Sequence, residues 1–140
     1  MIWNLTKKIV ISRKPVVAES FLERGVGMIG RDFKDFDAMI FHRCGAVHTM
    51  FMGISIDILF VDSSNRICGI GRAVAPWKPL VRAPNAETVI ELPSGTVERT
   101  GTEENDVLDL NAELSEPEKL LGKVAELPVA PNPVIPCRKT

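Results

Sequence analysis

The apolar residues of this chain fall in runs too short to be helices. Ile56-Asp57-Ile58-Leu59-Phe60-Val61 stops at Asp62-Ser63-Ser64-Asn65, and a second run, Ile67 to Val74, follows at once. Two such runs around a turn of Asp, Ser and Asn define a β-hairpin, because those side chains hydrogen bond to nearby backbone and Asn and Asp tolerate left-handed φ. The pattern recurs. Trp3 to Ser12 reads as strand, with Lys7-Lys8 suited to a hairpin or an edge. Ala38 to Phe41, Val47 to Met52, Thr88 to Leu92 and Asp106 to Leu110 are further short strands. Pro15 interrupts the first segment, and Pro76 and Pro79 keep 75–79 out of any central strand by removing ladder donors. One amphipathic helix is expected over Ala18 to Arg24, with Phe21 and Leu22 inward, ended by Gly25 and Gly27. A short helical turn is expected over Thr96 to Thr100. The expectation is an α+β, mainly β domain: a small antiparallel-rich curved sheet or barrel-like body with one N-terminal helix.

Composition bounds the function classes. The chain has 140 residues, 45% hydrophobic and 25% charged, enough for a single core. Seventeen basic and eighteen acidic residues leave a net charge of −1, without the basic footprint that a phosphate backbone attracts. No nucleic-acid partner is expected. No apolar run approaches the roughly 20 residues of a membrane span, so no membrane partner is expected either. The opening Met1-Ile2-Trp3-Asn4-Leu5-Thr6-Lys7-Lys8 lacks the basic-then-apolar order of a secretory signal. Cys44, Cys68 and Cys137 are an odd, sparse set without CxxC spacing, which disfavours a disulfide framework or a zinc site and suits a reducing, cytoplasmic compartment.

Residues 1–110 read as the domain and 111–140 as an appendage. Ser115-Glu116-Pro117-Glu118 has the form of a helix start, and Leu120, Leu121, Val124 and Leu127 supply an apolar stripe for a helix over about 116–127. Four prolines then fall between Pro128 and Pro136 and favour an extended, Pro-rich tail.

Seven residues stand out chemically. On a strand from Val47 to Met52, His48, Met50 and Met52 share a face, and with Cys44 they could hold a soft ion. Methionines filling a core explain them better, so no metal or cofactor is expected. Asp57 is a charge inside an apolar run and must find partners; anchoring a loop through backbone N–H groups is favoured over catalysis. Cys44, His48 and Asp57 together hold the parts of a thiol nucleophile, its base and an orienting carboxylate. Trp77 stands between Pro76 and Pro79. Glu91 alternates with core residues and could pair with Arg31, Arg72 or Arg99. No HExxH, GxSxG or phosphate-loop motif occurs.

The order of these segments resembles a known prokaryotic family, domain of unknown function 192. The resemblance rests on Gly27-Met28-Ile29-Gly30-Arg31, Ala38-Met39-Ile40-Phe41, Cys44-Gly45-Ala46-Val47-His48-Thr49-Met50-Phe51-Met52, Ile56-Asp57-Ile58-Leu59-Phe60, Pro76-Trp77 and Ile90-Glu91-Leu92-Pro93-Ser94-Gly95. It covers roughly residues 16–110. Ser55 stands where the pattern has proline, Met28-Ile29 replace Leu-Met, Met50 falls at an aromatic or apolar position, and Asn105-Asp106 replace Gly-Asp. Asn tolerates the left-handed backbone that Gly provides. The resemblance implies a compact, mainly β fold with a helix near the start, and no established activity.

Three functional expectations follow. The leading one is a binding module for a small ligand or a protein segment, with Arg31, His48, Asp57, Trp77 and Glu91 gathered on one concave surface. The second is a thiol hydrolase or acyl transferase using Cys44, His48 and Asp57. The third is an interaction protein that forms homo-oligomers through residues 116–140.

Overall fold

The computed structural model describes residues 1–19, 28 and 30–112. The expected helix over Ala18 to Arg24 falls mostly on 20–27, outside the described residues, as do the 116–127 helix and the Pro-rich tail. Ala18 itself extends a strand pairing, its N–H donating to the Ile40 carbonyl at 2.9 Å.

Among the described residues ten short strands form three open, curved sheets. The first orders β10 (Leu108–Asp109), β1 (Ile2–Asn4) and β2 (Ile9–Ser12). The second orders β3 (Pro15–Val17), β4 (Ala38–His42), β9 (Thr88–Pro93), β6 (Ile56–Val61) and β7 (Ile67–Val74). The third is a ribbon of β5 (Ala46–Val47) and β8 (Val81–Arg82). Among the described strands only β3–β4 is parallel. The 62–65 turn forms as its sequence dictates: Asp62 Oδ1 accepts from Ser64 N at 2.8 Å and Arg66 N at 3.0 Å, and Asn65 takes φ = 58°. Trp3 to Ser12 is a hairpin rather than one strand. Its turn carries Lys7 and Lys8, and the Lys7 N–H donates to Asn4 Oδ1 at 2.9 Å.

Two departures from expectation have physical causes. Pro15 does not end structure; it opens β3, whose place at the sheet edge tolerates a missing donor. Strand after Ala46 ends at Val47, not Met52, because Phe51 adopts φ = 63° and Thr49 diverts the main-chain hydrogen bonds of the loop. The side-by-side placement of His48, Met50 and Met52 therefore fails: His48 is exposed and Met52 is buried.

The five-stranded sheet separates two apolar layers. On one face Ile40, Leu59, Val61, Ile90 and Leu92 pack against the first sheet and a short helix, α1 (Thr96–Thr100), through Ile2, Ile11, Val97 and Leu108. On the other, Met39, Ile58, Phe60 and Val89 pack with Met28, Met52, Val81 and Ala83. That second layer is tight where β7 passes the ribbon. A Cβ built on Gly69 would lie 2.6 Å from Ala83 Cβ, which has no side-chain freedom to yield. Gly69→Ala should lower the unfolding free energy by about 1–3 kcal/mol through overpacking, measured by urea denaturation.

Candidate functional site

Asp57 is the second residue of β6, fully buried, on the face that α1 covers. Its Oδ1 accepts from Ala73 N at 2.8 Å; its Oδ2 accepts from Gly95 N at 3.1 Å and Val97 N at 2.8 Å. Ala73 stands at φ = 44° where the β6–β7 register shifts between Ile56 and Ile58. Gly95 is the N-cap of α1 at φ = 98° and has no side chain to cap with. Asp57 supplies that cap from 38 residues away. Burial raises its carboxyl pKa above the ordinary carboxylate range, against the pull of the three N–H donors and Arg72. The favoured sequence reading, a loop anchor, matches these bonds. Asp57→Ala would strand three N–H groups and should destabilise the fold by about 3–4 kcal/mol by denaturant unfolding.

Glu91 lies on the opposite face of the same sheet, cross-strand from Met39 and Ile58. It is 3% exposed, its Oε2 has no hydrogen-bond partner, and burial pushes its pKa up to about 8. Among the described residues no arginine pairs with it. The folded state therefore holds a proton that the unfolded chain releases near pH 4.5. Unfolding free energy should fall as pH rises from about 4.5 to about 8, by a total on the order of 5 kcal/mol. Glu91→Gln should remove most of that slope in urea titrations across pH.

The two carboxylates are thus closed off from solvent on opposite faces, and the concave surface expected to collect all five polar residues is not formed. Arg31 is exposed elsewhere, in a depression of ≈ 340 Å³ with Gly30, Asp32, Asp35 and Phe36. The thiol constellation is not assembled either. Cys44 Sγ donates to the Ala46 carbonyl at 3.0 Å, His48 Nδ1 accepts from Met50 N at 3.2 Å, and Asp57 is occupied as above. Cys44 instead borders a cleft of ≈ 540 Å³ with His42, Arg43, Asp62, Glu87 and Thr88, at the C-terminal end of β6. Cys44 and Cys68 are both free thiols. Among the described residues no group of three or more His, Cys, Asp or Glu could hold a metal ion.

The loops that carry two of the expected residues do come together. Beyond the N-terminal end of β6, the loop carrying His48 meets the loop carrying Trp77, and buried Thr49 joins them. Thr49 N donates to Lys78 O and Trp77 N donates to Thr49 O, each at 2.8 Å. Thr49 Oγ1 donates to Ala75 O at 2.7 Å and accepts from Lys78 N at 2.9 Å. The clamp fixes Phe51 at φ = 63° and Trp77 at φ = 68°, both left-handed. Their rings meet edge to face, centroids 4.8 Å apart and planes at 62°, yet Phe51 is 63% and Trp77 56% exposed. Leu80, three residues on, is exposed as well. Sequence reasoning named Trp77 from its flanking prolines but missed Phe51 and Thr49. Thr49 inside an apolar run was the only signal available, and nothing local marks it as a bridge to residues 75–78.

A mainly β module of open sheets, with its one described helix capped from a distant strand, is the class these features define. The chain belongs to the domain of unknown function 192 family, described as Uncharacterized ACR, whose model matches residues 6–110. It is 29% identical over 119 residues to a UPF0127 protein of Thermococcus sibiricus, spanning 81% of this chain and 76% of that one. A UPF0127 protein of Pyrococcus horikoshii is 30% identical over 112 residues, spanning 76% and 95% respectively. A solved protein of unknown function from Novosphingobium aromaticivorans shares the fold with a TM-score of 0.62 at 24% identity, covering 68% of this chain and 73% of that one. The family carries no assigned activity.

Proposed function

We propose that this chain is a binding module that takes an extended polypeptide segment on the Phe51–Trp77 surface. The single observation behind this reading is that two adjacent aromatic rings stand in solvent on backbone that ordinary residues avoid. Left-handed φ at a bulky side chain costs roughly 1–2 kcal/mol, and two such residues in contact are held there by a buried threonine. Folding alone gains nothing from exposing them; an exposed apolar pair on a rigid base suits recognition. The surrounding chain favours an apolar or acidic partner, since segments 44–56 and 73–86 contain His48, Lys78 and Arg82 but no Asp or Glu. Among the described residues no helix is long and apolar enough to cross a membrane, and the free thiols suit a reducing compartment.

Selection from a displayed peptide library against the purified chain tests the reading. Apolar, extended sequences should be enriched, and enrichment should vanish for Phe51→Gly and Trp77→Gly. Both variants should stay folded and gain about 0.5–1 kcal/mol of stability, because glycine relieves the strained backbone. Equal enrichment on the chain and its variants would overturn the proposal, as would a loss of stability in both.

A further inference from the structure

Resting on that reading, we infer that the polypeptide taken by the Phe51–Trp77 surface is an acidic one. An apolar side chain sits against the two rings, and carboxylates face Arg82, Lys78 and His48. The ribbon of β5 and β8 lays these groups out in order. Val81 pairs with Val47 and is buried, so side-chain alternation turns its neighbours Leu80 and Arg82 outward, and both are exposed. Arg82 stands cross-strand from Ala46, a residue too small to cover it. Past the end of the ribbon, the hydrogen bond from Thr49 N to Lys78 O keeps the two chains side by side, and the rings follow. Two residues separate Val47 from Thr49, which holds the Trp77 main chain, and one separates Val81 from Arg82. At about 3.3 Å per residue, Arg82 and Trp77 stand about 10 Å apart along this track, or about three residues of an extended ligand.

The charges on this track are of one sign. Among the described residues neither Arg82 nor Lys78 has an ion-pair partner. His48 Nδ1 accepts the Met50 N–H at 3.2 Å, so the ring proton sits on Nε2, a donor for an incoming carboxylate. The carboxylates nearest in sequence are engaged elsewhere. Asp57 caps α1, and Glu87 lines the cleft with Asp62 at the opposite, C-terminal end of β6. Cations at the rim of an apolar contact that excludes water favour a carboxylate over a neutral amide. They are also too few for other anionic partners. An anionic membrane is held by clusters of about four to eight Lys or Arg, and a phosphate backbone by a basic stripe.

Retention of three short-peptide pools on the purified full chain tests this. The pools share apolar residues at alternate positions and carry Asp and Glu, Asn and Gln, or Lys and Arg between them. In about 50 mM salt the acidic pool should be retained about three- to tenfold more than the amide pool, the scale of two or three exposed ion pairs. In about 500 mM salt, screening should cut that difference to less than about twofold. Arg82→Gln with Lys78→Gln should level the two pools. Arg82→Glu with Lys78→Glu should turn the preference to the basic pool, which a mere loss of structure would not do. Equal retention of the acidic and amide pools, or an acidic preference that survives the double glutamine variant, would overturn the inference. Pools retained alike on the chain but lost on Phe51→Gly and Trp77→Gly would sink it and leave the binding reading standing. Phosphatidylserine vesicles retained through Trp77, with no peptide pool retained, would sink both.

Discussion

A buried carboxylate that reaches three main-chain N–H groups on two other elements holds this fold in register. Asp57 projects from β6 into the apolar layer, where an isolated charge would be costly, and its hydrogen bonds offset that cost. One bond fixes the irregular stretch of β7 at Ala73, where the pairing with β6 skips a residue. The other two cap a five-residue helix that could not persist alone, since nucleation of so short a helix is unfavourable. Val97 of that helix then closes the layer over Leu59, Ile90 and Leu92. A glycine at the cap is required because the turn from β9 into the helix passes through left-handed φ.

The same device recurs on a smaller scale. Asp37 accepts from the Ser12 hydroxyl, Arg13 N and Lys14 N, which ties the end of β2 to the start of β4. Asp106 accepts from the Asn4 amide at 2.7 Å and from Glu103 N at 2.9 Å, closing the last turn onto β1. Thr49 does for the 75–78 loop what these carboxylates do elsewhere, with the difference that its clamp leaves strained aromatic residues outside. Side-chain oxygen acceptors thus organise the loops of a body whose strands are too short to do so themselves. Glu91 stands apart, buried with one oxygen unpartnered and protonated near neutrality.

Much of the strand series was legible because each run carried its own turn chemistry. The hairpin of β6 and β7 and the helical turn Thr96–Thr100 were readable from neighbouring residues alone. Asn105, a residue type that tolerates left-handed backbone, takes φ = 73°. The Val47–Met52 stretch misled because its alternation resembles a strand, whereas its hydrogen bonds go to residues 75–78, almost thirty positions away. The two-residue strand β8 left no periodic signal at all. Of the candidate site residues, Trp77 was recognisable from its flanking prolines, whereas His48 was singled out on a strand face that does not form. Asp57 and Glu91 were conspicuous as charges among apolar residues, but which of them would find donors could not be read.

The sequence by itself determined that this would be a mainly β body with a carboxylate obliged to find partners at position 57, because period-two runs, turn residues and a charge in an apolar segment are local properties. Only the tertiary structure decided that Asp57 caps a helix, that Glu91 finds no cation among the described residues, and that Phe51 and Trp77 meet in solvent. Each of those outcomes depends on which distant main-chain groups arrive beside a side chain, and that is fixed by sheet order and loop path rather than by any stretch of neighbouring residues.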